Sequence, residues 1–256
     1  MDPGATQFFE ALAAGGYDPD AHIDVLPQHR LIYVCVPKCA STTIKTALSR
    51  LTVRGPIAPD KIHNRRHTGL RAPSRIGLSA FHRLATSPAT LRFAFVRNPY
   101  ARLVSAWADK FQNKPLVRGD SFIEKYLAHR ADIDASLPAG GEQTLSFGQF
   151  VMFATASALC RIDAHWQEQQ DLLTMPGITL DHIGKVESFN RDFSPVLEHV
   201  GHGPELLLSA SLRLNASQHR PWPDYYSPTL ADLVYRSYQR DFDLLRYPRA
   251  LHASAA

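Results

Sequence analysis

Lys38, Ser41, Thr42 and Thr43 stand within a few residues of one another, directly after the short apolar run His29–Val36 (HRLIYVCV). The lysine brings a mobile positive charge and the hydroxyls bring donors. If the segment turns from a strand into a helix, its first backbone N–H groups and the positive helix end converge on one point, which is an anion site. The plainer reading is a helix whose hydroxyls cap its own first turn. Arg97 directly follows a second apolar run, Leu91–Val96, and Ser105 lies on the segment behind it. An arginine fork grips a phosphate dianion bidentately while a hydroxyl completes the shell. Taken singly, Arg97 reads as a surface ion pair and Ser105 as a neutral helix-face residue. Proton transfer near neutral pH points to histidine, of which the chain has twelve.

These residues need elements to hold them. The run ending at Val36 is β-rich and reads as a buried strand, with Ile44–Leu51 helical behind the turn. Leu91–Val96 (LRFAFV) is a second buried strand. Asn98 offers a cap and Pro99 a first helical position, and Leu103, Val104, Trp107 and Phe111 recur at helical spacing, so Tyr100–Phe111 is predicted helical. Gln112–Thr144 is mixed and reads as irregular with a short helix. Phe147–Leu159 and Ala164–Leu173 read as helices, Asp181–Val186 as a strand, and Phe189–Val200 as a helix. Leu214–Asp224 is a loop, and Ser227–Leu245 a closing amphipathic helix capped by Ser227 with Pro228 in its first turn. Strands alternating with helices predict an α/β fold, a central parallel sheet flanked by helices, whose ligands sit beyond the carboxyl ends of the strands.

With 256 residues, 45% hydrophobic and 20% charged, the chain has the composition of a folded protein, and its length fits one α/β domain. The net charge is +4, and only seven of the 28 basic residues are lysines, leaving 21 arginines. Seven arginines and Lys61 fall between Arg54 and Arg92 against a single acid, Asp60. That stretch is either a solvated basic loop or a wall for an anionic ligand. It lacks the long basic stripe and interleaved aromatics of a nucleic-acid protein. Three cysteines (Cys35, Cys39, Cys160) specify no disulfide framework and fit a reducing compartment. The N-terminus does not read as a signal peptide and no apolar run approaches about 18 residues, so a soluble, cytoplasmic protein is expected. The signature G-x-x-x-x-G-K-[ST] is missing: no glycine lies between Val34 and Arg50, and the lysine opens the turn instead of closing it. A dinucleotide G-x-G-x-x-G is likewise absent.

Val36-Pro37-Lys38-Cys39-Ala40-Ser41-Thr42 resembles the 5′-phosphosulfate loop of sulfotransferases, in particular heparan sulfate 2-O- and chondroitin 4-O-sulfotransferases of sulfotransferase family 2. Phe95-Val96-Arg97-Asn98-Pro99-Tyr100-Ala101-Arg102-Leu103-Val104-Ser105 resembles that family's 3′-phosphate element, an arginine ending a strand with a serine eight residues on. Weaker likenesses follow: Asp163–Gln167 to an "HW" segment, His182–Glu187 to an "IGK.E" strand, Leu214–Ser217 to a loop over the nucleotide, and Tyr235–Tyr247 to the terminal helix. The likeness covers about His22–Tyr247, leaving residues 1–21 as an N-terminal extension to a single sulfotransferase domain over 1–256. The Golgi members' signal anchor, stem and paired cysteines find no match, which fits a bacterial-type soluble member. Ala40 replaces the glycine of many such loops, and Arg54–Leu91 matches poorly.

The resemblance implies a P-loop-NTPase-like sulfotransferase fold. It implies 3′-phosphoadenosine 5′-phosphosulfate (PAPS) as co-substrate, no metal, and an acceptor that is a saccharide or glycoconjugate. It places Lys38 on the leaving group and the amides of Cys39, Ala40, Ser41, Thr42 and Thr43 on the 5′-phosphate. Arg97 and Ser105 take the 3′-phosphate, and Ser217 and Arg220 lie at the covering loop. For the acceptor base His82 ranks first, since Phe81-His82-Arg83-Leu84 resembles a segment of the chondroitin branch. His165 is a second catalytic candidate, beside its plainer reading as a core residue, and His63 and His67 remain open. The rival readings are a nucleotide kinase and a non-catalytic polyanion-binding protein. Neither nucleic acid nor stable membrane insertion is expected.

Overall fold

Two apolar runs, Ile23–Leu26 and Leu31–Val34, are buried at every position and pair antiparallel as strands β1 and β2. The chain reverses between them through a 3-10 turn at Pro27–His29 and a left-handed Arg30. This is a computed structural model, which describes residues 3–14, 18–134, 136–156, 163–203, 206 and 220–251. Helices α1 (Pro3–Ala14) and α2 (Pro19–His22) precede β1. After β2 come α3 (Ser41–Ser49), α4 (Arg65–Thr68), α5 (Pro73–Ile76), α6 (Leu78–Thr86), β3 (Leu91–Val96) and α7 (Pro99–Lys110). Then follow β4 (Pro115–Leu116), α8 (Ser121–Ile133), β5 (Gly141–Thr144), α9 (Phe147–Ala156) and α10 (Gln169–Leu173). The chain continues with β6 (His182–Lys185), α11 (Phe189–Val200), α12 (Pro228–Ser237) and α13 (Gln239–Leu244). By its internal contacts the chain divides into two units, Met1–Val96 with Asp171–Ala216 and Arg97–Gln170 with Ser217–Ala256.

The first unit holds a four-stranded sheet in the order β1-β2-β3-β6. β2, β3 and β6 run parallel, in register Val34↔Ala94 and Phe95↔Gly184. The central parallel strands flanked by helices agree with expectation, while β1 makes the sheet mixed by adding an antiparallel edge. Because β2 and β3 are parallel, the segments following Val34 and Val96 both leave the carboxyl edge of the sheet. The core is aromatic: Tyr33 stacks on Phe93 at 5.0 Å, and Phe95 meets Phe189 and Phe193 at 5.0 and 5.9 Å. Gly184 is the residue that admits this cluster, since a Cβ there would lie 2.5 Å from the Phe95 ring. Arg92 grips Asp181 with two nitrogens at 2.7 and 2.8 Å, fastening β3 to the segment entering β6. The stretch Arg54–Leu91, unassigned by sequence, carries α4, α5 and α6.

The second unit gathers around Trp166, which has no exposed surface and touches Phe111, Phe122, Phe150 and Phe153 at ring separations between 5.5 and 6.2 Å. α7 begins as predicted: the Asn98 side chain accepts from Tyr100 N–H at 2.9 Å and Pro99 follows the cap. α8 is longer than expected because Asp120 caps it, accepting from Phe122 and Ile123 N–H. Two helices are shorter than their apolar patterns suggest. The predicted Ala164–Leu173 helix starts only at Gln169, because Arg102 takes the carbonyl oxygens of Ala164 and Gln167 at 2.6 Å each and Asp163 folds back onto His165 N–H. The closing helix has the predicted Ser227 cap but breaks at Tyr238 (φ −121), whose hydroxyl donates to Trp166 O at 2.6 Å. Among the described residues no helix is long and apolar enough to cross a membrane.

Candidate functional site

The loop after β2 is a tight turn followed at once by a helix. Cys39 N–H donates to Val36 O at 3.3 Å, with Pro37 second in the turn and Lys38 third at φ +68. That is the geometry of a type II turn, whose third position ordinarily takes glycine. Ala40, the residue before α3, is also left-handed (φ 60, ψ 25). A non-glycine residue in this region costs about 1–2 kcal/mol. Two such residues in one turn therefore mark a backbone held to a specified shape, and strain of this kind concentrates at ligand sites.

The shape has a consequence for α3. Its N-cap is an alanine, so no side chain caps the helix, and the plainer reading of a self-capped first turn does not hold. The amino end keeps its positive partial charge and presents amides beside Lys38. Cys35 and Cys39 are buried and form no disulfide with each other, and burial pushes the Cys35 thiol above its usual range. Cys160 lies outside the described residues.

Beneath the loop a charged cluster fastens α3 in place. Asp24 of β1 has no exposed surface; Lys45 of α3 lies 2.9 Å from one carboxylate oxygen and Arg65 Nε donates to the other at 2.6 Å. Arg65 also donates to Asp20 O at 2.5 Å and Ile23 O at 2.9 Å. Arg65 opens α4, and two residues before it His63 hydrogen-bonds through Nε2 to Thr42 Oγ1 at 3.2 Å. The structure thus brings His63 to the loop. His67 is exposed on α4, and His82 on α6 faces the Phe8 ring of α1 at 5.4 Å. The sequence carried no signal of the Thr42–His63 contact beyond the presence of histidine in the right interval. An acid inside the otherwise apolar run Ile23–Leu26 was the available sign of the Asp24 cluster.

In the second unit Arg97 is half-buried and Ser105 buried, flanking the start and the second turn of α7. Gln169, which sequence reasoning did not single out, exchanges two hydrogen bonds with the Arg97 backbone, both 2.9 Å. His165 Nδ1 lies 2.9 Å from Asp163 Oδ1, and Lys125 lies 3.4 Å from the other oxygen. Burial pushes the Asp163 carboxyl up, but its bonds from His165 outweigh that, and the net position is below the ordinary range. Arg220 sits over the Tyr225 ring at 4.9 Å. Ser217 lies outside the described residues. Among the described residues there is no group of three or more His, Cys, Asp or Glu that could hold a metal ion.

A family model described as the sulfotransferase family matches residues 21–248. The chain is similar to carbohydrate sulfotransferase 9 of Homo sapiens, with 28% identity over 242 residues, covering 89% of this chain and 53% of that protein. It is similar to carbohydrate sulfotransferase 12 of Mus musculus at 26% identity, covering 89% and 60% of the two chains. To carbohydrate sulfotransferase 8 of Mus musculus it is 31% identical, over 72% of this chain and 44% of the other. The chain therefore spans roughly half the length of these relatives. No solved structure matches it. With nine-tenths of its length under one family model, and the turn and arginine elements in the order that family requires, the chain belongs to the sulfotransferase family.

Proposed function

We propose that the chain transfers the sulfuryl group of PAPS to a hydroxyl or amine of a saccharide or glycoconjugate, releasing adenosine 3′,5′-bisphosphate. The observation that carries this reading is the uncapped amino end of α3 behind a turn with two left-handed residues, which suits a 5′-phosphate. The bound donor would supply an activated sulfuryl group on a phosphate leaving group; the protein's part is to hold, orient and neutralise. The Cys39 amide is committed to Val36 O, so the amides of Ala40, Ser41, Thr42 and Thr43, with the hydroxyls of Ser41 and Thr42, hold the 5′-phosphate. Lys38 stabilises negative charge on the bridging oxygen as its bond to sulfur breaks. Arg97 and Ser105 hold the 3′-phosphate. Transfer resembles phosphoryl transfer in passing through a loose in-line state, so positioning and charge stabilisation dominate.

For the acceptor proton we place His63 ahead of His82, because its bond to Thr42 sets it beside the loop. His63 takes the proton as the acceptor oxygen or nitrogen bonds to sulfur, and the departing phosphate oxygen leaves with the former S–O electron pair. The decisive experiment is titration with adenosine 3′,5′-bisphosphate and with ATP, each with and without Mg²⁺, followed by an acceptor screen with radiolabelled PAPS. Preference for the bisphosphate without Mg²⁺, and label on a saccharide product, are the expected results. Equal binding of the two nucleotides would remove the reading.

A further inference from the structure

Gln169 has no exposed surface, and its side-chain amide is committed to the backbone of Arg97. Arg97 N–H donates to Gln169 Oε1 and Gln169 Nε2 donates to Arg97 O, each at 2.9 Å. That reciprocal pair is what an adjacent strand would supply, provided here by a side chain at the first residue beyond β3. Gln169 is itself held. Its N–H donates to Asp241 Oδ2 at 2.8 Å, its Nε2 reaches the same oxygen at 3.2 Å, and Gln170 N–H donates to Oδ1 at 2.9 Å. Asp241 of α13 has no exposed surface either. Burial pushes its carboxyl up in spite of those donors and the nearby Arg102. Arg102 and Tyr238 meanwhile brace the turn leading into Gln169 through the carbonyl oxygens of Ala164, Trp166 and Gln167.

An amide and a carboxylate buried together are costly unless every bond is made, and apolar side chains could fill the same space at less risk. What the polar arrangement adds is a fixed peptide at Arg97. We propose that Gln169, backed by Asp241, is a positioning residue that sets the Arg97 peptide and thereby aims the guanidinium at the donor's 3′-phosphate. The inference rests on the reading of Arg97 under Proposed function. It extends the donor site to two residues, Gln169 and Asp241, that lie far from Arg97 in sequence.

The test compares adenosine 3′,5′-bisphosphate with adenosine 5′-phosphate, which lacks only the 3′-phosphate, by calorimetry on the full chain. Wild-type protein must prefer the bisphosphate; if it does not, the assignment of Arg97 fails and the positioning role falls with it. Given that preference, Gln169→Leu is expected to weaken bisphosphate binding roughly tenfold to a hundredfold, as loss of a supporting contact does elsewhere. Binding of the 5′-phosphate should stay within about threefold. Asp241→Asn keeps the volume and one acceptor oxygen, and is expected to lower the ratio by about twofold to tenfold, the worth of one hydrogen bond. In an Arg97→Ala background, Gln169→Leu should cost nothing further. A merely structural role predicts otherwise: lower melting temperature, equal loss for both nucleotides, and the same loss with or without Arg97. Any of these last two outcomes, or an unchanged ratio in both folded single variants, overturns the proposal.

Discussion

Replacing Asp24 by alanine removes one carboxylate that faces two cations. Lys45 is 9% exposed and lies 2.9 Å from it; Arg65 is 28% exposed and lies 2.6 Å from it. Arg65 keeps its bonds to Asp20 O and Ile23 O, so the damage falls mainly on Lys45, an ammonium left buried with its counter-charge gone. Breaking such a pair from one side costs about 3–5 kcal/mol. With a urea slope of about 2–3 kcal/mol per molar, the midpoint should fall by about 1–2 M, a large part of the 5–15 kcal/mol that holds a typical domain. Urea denaturation followed by circular dichroism measures it. The control is Asp24→Leu combined with Lys45→Met; it leaves only the part-exposed Arg65, still bonded to two carbonyl oxygens, and no buried ammonium, so much of the loss should return. A single-variant shift below about 0.3 M, or a double variant no better than the single, would refute the electrostatic account. Because Lys45 lies on α3 and Arg65 opens α4, the carboxylate also sets the approach of His63 to Thr42. The folded single variant should accordingly lose turnover more than bisphosphate affinity.

Arg97→Ala should weaken adenosine 3′,5′-bisphosphate binding by roughly tenfold to a hundredfold, the worth of a charge-assisted contact, whereas Lys38→Ala should mainly lower kcat, by about 10²–10³; calorimetry and turnover read the two separately. His63→Ala is expected to reduce kcat by about 10²–10⁴ while sparing bisphosphate binding; if His82→Ala or His165→Ala does so instead, the base is reassigned to that residue. Acid stability follows from Asp181 and Asp192. Burial pushes each up, but hydrogen bonds from Arg92 and from Arg191, Lys185 and Ser188 outweigh it, leaving both below the ordinary range. Their contribution is therefore whole above the unfolded carboxylate value near about 3.9 and is lost as pH falls through the folded values. The urea midpoint should drop on acidification below about pH 4, less steeply in Asp181→Asn. Ala40→Gly should stabilise by about 0.5–1 kcal/mol, strain relief exceeding the entropy cost of glycine, and Ala40→Val should destabilise, both read from melting curves.

Local chemistry was legible wherever one element carried its own signal. Asn98-Pro99 announced α7, Ser227-Pro228 announced α12, and the strand candidates Leu91–Val96 and Asp181–Val186 contained β3 and β6. Sequence failed where a tertiary partner decided the outcome. β1 was passed over because Asp24 interrupts its apolar pattern, and only Lys45 and Arg65 make that acid acceptable in a strand. α10 is short because Arg102, from another helix, captures the carbonyl oxygens an earlier start would have used. The Lys38–Thr43 segment was legible as a turn from strand into helix, but its left-handed backbone was not, since nothing in the letters Lys and Ala announces positive φ. Gln169 and His63 owe their places to partners 72 and 21 residues away, a separation no spacing rule reaches.

The turn between β2 and α3 contains no glycine, and under the proposed donor-binding role that bears on how it would meet a nucleotide. Glycine would let the segment wander among many shapes in the absence of a guest, each of which association would have to give up. Lys38 and Ala40 have fewer alternatives, so the turn would stand ready-made, the entropic toll of any capture being settled when the polypeptide folds. On the proposed role such a mould should look the same empty as filled, leaving any adaptation to other parts of the chain.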